Sequence, residues 1–472
     1  MLMSVKKAVA AVVAAGIVAY GGTVAYLTHF DHATAPAPAG AGVDAVSTAA
    51  LNVMREARCD YCHAARVDLP FYFSLPVANT LMSHDRDQGL RHFRVEPVIS
   101  ALQNGSVPDQ EPLARIEEVI NQNRMPPTLY LLMHWHAHLS DAQRESMLTW
   151  IAQVRRQHYA TQGVADRFAA EPVQPVPESV PVDPHKVALG QRLFFDRKLS
   201  GDGTLNCASC HSLQHGGVDG LVTATGIHGQ KGPINVPTVF DAVFNKWQFW
   251  NGRAGTLAQQ AAGPVMNPVE MGSHDWTSVA DRLREDPSYA TDFQAAYGSD
   301  TIDENTITDA IGEYEKTLVT PDSRFDQYLK GDDAALNTQE KHGYALFKQI
   351  GCSGCHTGPS MGGQAFEPLG LEGNYFSARG GKLTDADKGR FEVTHDPADM
   401  ERFKVPNLRN IALTGPYFHD GSITTLDGAV RDMARYQTPD HNISDQDVTD
   451  IVAFLNTLTG RYQGETLRNT AP

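Results

Sequence analysis

One five-residue pattern uses up all six cysteines of this chain: Cys59-Asp60-Tyr61-Cys62-His63, Cys207-Ala208-Ser209-Cys210-His211 and Cys352-Ser353-Gly354-Cys355-His356. In a Cys-x-x-Cys-His run the two thiols can add across the vinyl groups of a haem, and the following histidine is held where its imidazole can ligate the iron. A single Cys-x-x-Cys pair fits a redox dithiol or half of a zinc site equally well. Threefold recurrence argues against both. Zinc would need the pairs to converge into four-ligand sites, and a dithiol has no use for a histidine in the same place every time. The chain therefore has to fold around three covalently bound haem c groups.

A length of 472 residues is too great for one core, and motifs about 145 residues apart point to three domains of ordinary size. With 39 basic against 55 acidic residues the net charge is −16, which argues against nucleic acid or an anionic membrane surface as a binding partner. Lys6 and Lys7 precede an uncharged apolar run from Ala8 to Leu27, long enough to cross a bilayer as a helix with the lysines in the cytoplasm. A cleaved signal peptide has an apolar core of only about 7–15 residues, so the run reads as a retained anchor. The expected organisation is an anchor over 1–30 and an Ala/Pro-rich tether over 31–45. A first haem domain over 46–170 and a proline-rich linker over 171–183 follow, then haem domains over 184–330 and 331–472. That places a single-pass protein in the inner (cytoplasmic) membrane, its haem domains in the periplasm.

Apolar residues at i, i+3 and i+4 recur around each motif, and strand-like runs are few. Gly190-x-x-Leu193-Phe194 before the second motif is repeated as Gly343-x-x-Leu346-Phe347 before the third. Each module is expected to end in an amphipathic helix, Ser140 to Val154, Thr306 to Leu318 and Ser444 to Leu458. Ser140 with Gln143 forms a capping box, and Ser444 is an N-cap followed by Asp445. The fold class is mainly α, three cytochrome c-like haem domains after an N-terminal transmembrane helix.

Function turns on what faces each iron opposite its attachment histidine, His63, His211 or His356. For the first haem the candidate is Met125, which stands where cytochromes c of this general type place their methionine loop. The prolines at 126 and 127 disfavour a buried helix position and stiffen that loop.

From Pro184 onward the sequence resembles the bacterial dihaem cytochrome c peroxidases. The blocks that carry the resemblance are Cys207-Ala208-Ser209-Cys210-His211-Ser212-Leu213, Gly232-Pro233-Ile234-Asn235-Val236-Pro237-Thr238 and Gln248-Phe249-Trp250-Asn251-Gly252-Arg253-Ala254. They continue with Gln260-Ala261-Ala262-Gly263-Pro264, Glu270-Met271-Gly272, Lys404-Val405-Pro406-Asn407-Leu408-Arg409-Asn410 and Gly415-Pro416-Tyr417-Phe418-His419-Asp420-Gly421. The resemblance implies Met433 as sixth ligand of the third, electron-storing haem, and a second haem that reduces hydrogen peroxide. It implies Glu270 as the distal acid–base carboxylate, Gln260 as a hydrogen-bonding partner of peroxide, and Trp250 between the two haems. A calcium ion held by Asn235, Thr414 and Pro416, with His419 near the haem propionates, is implied as well. For the second haem three readings stay open. The family's loop histidine aligns on Ile227, so His228 one residue later, His215, or no protein ligand could occupy the sixth position.

Dihaem relatives take electrons from small soluble proteins. The added anchor and first haem module imply a membrane quinol as donor, as in trihaem members of the family, with a soluble cytochrome c as the alternative. A multihaem electron carrier without catalysis is the rival function, but it would not need Glu270 or Gln260. A related group that modifies a partner protein has tyrosine in place of the methionine ligand, which Met433 argues against.

Overall fold

Residues 2–439 and 443–468 are described by the computed structural model. Their elements are mainly helices. Two short antiparallel ladders are the strands among the described residues, Phe366–Pro368 against Arg402–Lys404 and Arg461–Tyr462 against Glu465–Thr466. The chain divides into two compact units, Met1–His158 and Tyr159–Pro472.

In the first unit the apolar run becomes a helix, Leu2–Thr34, of which Val5–Thr34 is long and apolar enough to cross a membrane. The helix overruns the expected anchor boundary at residue 30, because Asp31 finds buried partners at its C-terminal end. The Ala/Pro-rich stretch that follows is laid onto the unit, with Gly40 N bonded to Gln103 O at 2.9 Å and Gln103 Nε2 to Ala37 O at 2.9 Å. Helices Ala45–Ala57, Glu96–Asn104, Gln110–Asn121 and Asp141–His158 bury Leu51, Met54, Leu102, Leu113, Trp150 and Ile151. Ser140 and Gln143 cap the last helix reciprocally, as the sequence pattern predicts.

The second unit holds both remaining motifs and has two cores. Its repeated Gly-x-x-Leu-Phe has a steric cause. Pro184–Phe194 packs on Glu304–Glu315 so closely that a Cβ on Gly190 would lie 1.8 Å from Ala310 O, and a Cβ on Gly343 of Thr338–Gln349 would lie 1.9 Å from Asp450 O of Asp445–Asn456. Only glycine permits that approach, and the Leu and Phe of each motif reach the groove three and four residues on. The predicted terminal helices occur as Glu304–Glu315 and Asp445–Asn456, the second capped by Ser444 and Asp447.

Two segments cross the expected boundaries. The proline-rich stretch 171–183, expected as a free linker, is a strap. Val173 is fully buried in the core of the third-motif module, and Gly358 N and Gln174 N bond across to Pro172 O and Gly358 O at 2.9 and 3.4 Å. Prolines suit such a strap because it needs extended backbone and few donors. Conversely Leu467, at the far end of the chain, is buried in the core of the second-motif module, with Tyr462 packed against it.

Both modules of this unit also share one local backbone at a fixed register. Pro237 and Pro406, Asp241 and Asn410, Trp250 and His419, and Thr256 and Thr425 are each separated by the same interval, 425 − 256 = 169. Asp241 and Asn410 both have left-handed φ, 59° and 60°, as do Phe249 and Phe418, 66° and 69°. Isolated bridges close equivalent loops, Gln248 to Ala254 and Tyr417 to Ile423. Thr256 and Thr425 then cap the helices Leu257–Met266 and Leu426–Gln437 through their hydroxyls.

Candidate functional site: three haem centres

Each attachment histidine is held in the same way, with Nδ1 bound to backbone carbonyl oxygen and Nε2 left for a metal. His63 Nδ1 lies 3.0 Å from Gly89 O and 3.1 Å from Phe93 O, His211 Nδ1 3.2 Å from Gly217 O, and His356 Nδ1 2.9 Å from Met361 O. This is the tautomer and orientation that a ligating histidine requires. Burial lowers the pKa of all three, that of His356 to about 4, so the imidazoles are neutral. The six cysteines are free thiols, and burial holds Cys62 and Cys210 near 11. Paired, disulfide-free thiols beside an oriented neutral imidazole fit covalent haem.

Around the third motif the predicted residues converge on an apolar cavity of about 240 Å³. Cys352, Cys355, His356 and Met433 line it, together with Trp250, Asn235, Thr414, Pro416 and His419. Met433 projects from Leu426–Gln437 and packs against Leu369, Tyr375 and Phe403. His419 is buried, stacked on Phe403 at 4.3 Å, with Nε2 2.8 Å from the Asp387 carboxylate that Arg379 also grips. Asn235 gives its amide hydrogens to Leu221 O and Val222 O at 2.9 and 3.3 Å, which leaves its side-chain oxygen as an acceptor.

The second motif is surrounded differently. By the constant register, the position of Met433 is taken by Pro264, which has no ligating atom. The Leu257–Met266 helix ends two residues later, and Met271 N and Ser273 N bond back to Pro264 O and Val265 O. That fold-back presents Glu270 close enough to the Cys210 thiol to help raise its pKa. Burial raises the Glu270 carboxyl above its usual range, while the Arg253 guanidinium and the Asn267 amide, at 2.7 Å from Oε1, pull it back down. Arg253 stacks on Phe249 at 3.3 Å. Gln260 is half-buried, and its carboxamide makes no hydrogen bond to protein among the described residues.

His228 is not brought to this pocket. Its imidazole is 68% exposed and lies 3.6 Å from Asp202, whereas Ile227 is buried against Gly272. The turn at Gly226–Gly229, with φ +54° at His228, directs one residue inward and the next outward, and Ile227 N is anchored to Glu270 O at 2.8 Å. His215 lies in the hairpin whose Gly217 carbonyl holds His211 Nδ1, on the side of the imidazole away from a ligated metal. Met125 is half-buried in the loop after Gln110–Asn121.

The family described as di-haem cytochrome c peroxidase matches residues 184–334, flanked by a haem-binding domain over 19–153 and a cytochrome c domain over 340–459. Over 412 residues the chain is 48% identical to cytochrome c peroxidase Ccp of Escherichia coli, covering 87% of this chain and 88% of that one. The chain belongs to the di-haem cytochrome c peroxidase family. Another member, cytochrome c551 peroxidase of Nitrosomonas europaea, is 45% identical over 304 residues, 64% of this chain and 87% of its own. A solved MauG-like protein associated with microbial copper homeostasis aligns with a TM-score of 0.54 at 31% identity, covering 61% of this chain and 93% of that one.

Within this peroxidase fold, sequence reasoning passed over Arg253 and Pro264 although both stand inside the matching blocks. Their signal was positional. Only the register against the third module shows that Pro264 replaces a methionine, and only the folded turn brings Arg253 to Glu270.

Proposed function

We propose that this protein is a trihaem peroxidase that reduces hydrogen peroxide to water at the second haem. Electrons enter at the first haem from a membrane quinol and reach the second by way of the third. The contrast between Pro264 and Met433 at one register position carries this reading, since it leaves one centre open to a small ligand and closes the other with a thioether. Thioether ligation favours ferrous iron and suits an electron store. His63 with Met125, His211 alone, and His356 with Met433 would ligate the three irons.

Haem iron, once bound, supplies the site for peroxide and the electron exchange. The protein moves the proton. Glu270, unprotonated, takes a proton from the inner peroxide oxygen and returns it to the outer one, so that water leaves; positioned transfer of this type is worth about 10²–10⁴-fold. The Arg253 guanidinium opposes the upward shift that burial imposes on Glu270, favouring the ionised form that acts as the base. Gln260, with its carboxamide uncommitted, orients the peroxide. Phe249 borders both the pocket next to Arg253 and the third-motif cavity, which the adjacent Trp250 also lines, so these two rings lie on the proposed electron path. A calcium ion would take its oxygen ligands from Asn235, Thr414 and Pro416, which lie together on the cavity wall.

The experiment is peroxide reduction by the full-length protein offered either a reduced quinol or a reduced cytochrome c, with EPR of the half-reduced protein. Turnover with quinol and a high-spin second haem are expected. Turnover with cytochrome c alone would reject the quinol donor, and a protein with three saturated haems would be an electron carrier only.

A further inference from the structure

The first unit contains a buried polar cluster with no part in haem attachment. Asp31, from the end of the apolar helix, is 1% exposed. Tyr61, which stands between the two thiols of the first motif, donates to Asp31 Oδ1 at 2.5 Å. Arg58 donates to Asp31 O at 3.0 Å, to Thr34 Oγ1 at 2.8 Å and to both Asp60 oxygens at 3.0 Å. On the far side, His134 Nδ1 is 2.5 Å from Asp31 Oδ2 and its Nε2 is 2.6 Å from the Tyr72 hydroxyl, while its ring stacks on Tyr130 at 4.1 Å. His136 completes the group, with Nε2 3.1 Å from Asp31 Oδ2, Nδ1 3.4 Å from Thr28 Oγ1 and its ring 5.6 Å from that of His32.

Two carboxylates, Asp31 and Asp60, face the one guanidinium of Arg58 here, so the cluster is rich in hydrogen-bond acceptors. A metal fits poorly, since both nitrogens of His134 and both oxygens of Asp31 are already engaged. His136 Nε2 alone is buried without a hydrogen-bond partner, and the side chain is 16% exposed, which brings the cluster to the surface.

That surface is apolar. Leu129, Leu132 and Trp135 are 68%, 54% and 59% exposed. They are pinned to the membrane-crossing helix, because Tyr20 donates to Leu132 O and Trp135 Nε1 donates to Leu132 O at 3.0 Å and to Tyr20 Oη at 3.2 Å. Tyr20 is eleven residues before Asp31 on that helix, about 16 Å at 1.5 Å per residue. Val24 and Leu27 are buried against the rest of the unit, so the helix leaves lipid before the end of its apolar run, and exposed Leu, Tyr and Trp at the level of Tyr20 match the bilayer interface. Such a face beside a membrane-crossing helix suits a lipid-dissolved donor with a polar head.

We infer that the surface at His136, bordered by Leu129, Leu132 and Trp135, is where a membrane hydroquinone is oxidised, with His136 as first proton acceptor and Asp31 with His134 as the relay behind it. This inference rests on the quinol reading given above. Each hydroquinone breaks two O–H bonds to become quinone, giving two protons to the cluster and then to water. Its two electrons go singly to the haem on Cys59 and Cys62. Peroxide reduction at the other end takes up two electrons and two protons and yields two waters, so the sum is hydroquinone plus hydrogen peroxide to quinone plus two waters. Burial lowers the His136 pKa, which keeps its imidazole neutral and able to accept.

The test uses full-length detergent-solubilised protein, decylubiquinol, and a fluorescent hydroxyquinoline N-oxide whose emission is quenched when it occupies a quinone site. His136→Gln is expected to slow reduction of the first haem by decylubiquinol about 100-fold, with unchanged absorbance after dithionite. Trp135→Ala, a surface change that spares the buried cluster, is expected to weaken N-oxide binding about tenfold. Native rates and native N-oxide affinity in both variants would overturn this site while the quinol reading stands. If the unaltered protein is reduced by cytochrome c and not by decylubiquinol, the donor reading itself fails and the site falls with it.

Discussion

From Thr256 to Pro264 and from Thr425 to Met433 the two C-terminal haem modules run in register: the same cap, the same preceding loop, the same left-handed phenylalanine. They part at the ninth residue. The methionine helix continues to Gln437 and sets sulfur against an apolar wall; the Pro264 helix stops at Met266, because Pro268 forces Asn267 out of the helical region, and the chain folds back to bring Glu270 and Arg253 to the second motif. The repeated scaffold thus presents a thioether in the third-motif cavity and a carboxylate near the second motif, which is the difference the proposed function draws on.

The largest expected effect comes from deleting the proton carrier. Glu270→Gln should lower peroxide turnover by about 10²–10⁴-fold, measured in the steady state, with the spectrum of the third haem unaltered; native turnover would remove Glu270 from the mechanism. Pro264→Met tests the contrast directly. A thioether restored at that position should convert the second haem to low spin by EPR and reduce turnover at least about tenfold, a barrier increase of about 1.4 kcal/mol. A variant that stays high-spin and active would show that register does not govern ligation.

Arg253→Leu should act through pH. Glu270 must be ionised to accept a proton, and the guanidinium opposes the upward shift that burial imposes. Without it the carboxyl stays protonated to higher pH, so the acid limb of the turnover profile should move to higher pH, with several-fold less activity at its acid end. An unmoved limb would mean that Arg253 acts only by packing. Smallest of all is His228→Ala. With the imidazole in solvent, stability should change by no more than about 0.5 kcal/mol, and the resting spectrum should be unchanged; loss of a low-spin signal would show that the loop turns this histidine inward.

What could be read from sequence was local. Cys-x-x-Cys-His places its chemistry within five residues, and Ser140-Gln143 and Ser444 announce helix starts within one turn. Gly190 and Gly343 were visible as a repeat, but not as contact points, because Ala310 and Asp450 lie more than a hundred residues away. The same separation hid the Asp31 cluster, whose members come from positions 31, 58, 61, 134 and 136. His228 faces solvent here because a one-residue offset in a tight turn exchanges the inward and outward side chains. The stretch from 171 to 183 was misread because proline density marks a free linker and an extended strap alike; only Val173 in a neighbouring core distinguishes them.

Val173 and Leu467 also bear on rates. Each lies outside the sequence span of the core it completes, so neither core is built from one continuous segment, and the two modules fasten like a buckle. Electron tunnelling falls steeply with distance, and in the proposed route a buckle of this kind would fix the gap between the paired centres. Turnover by the proposed route would then be tuned through driving force and proton supply more than through the spacing of these two modules.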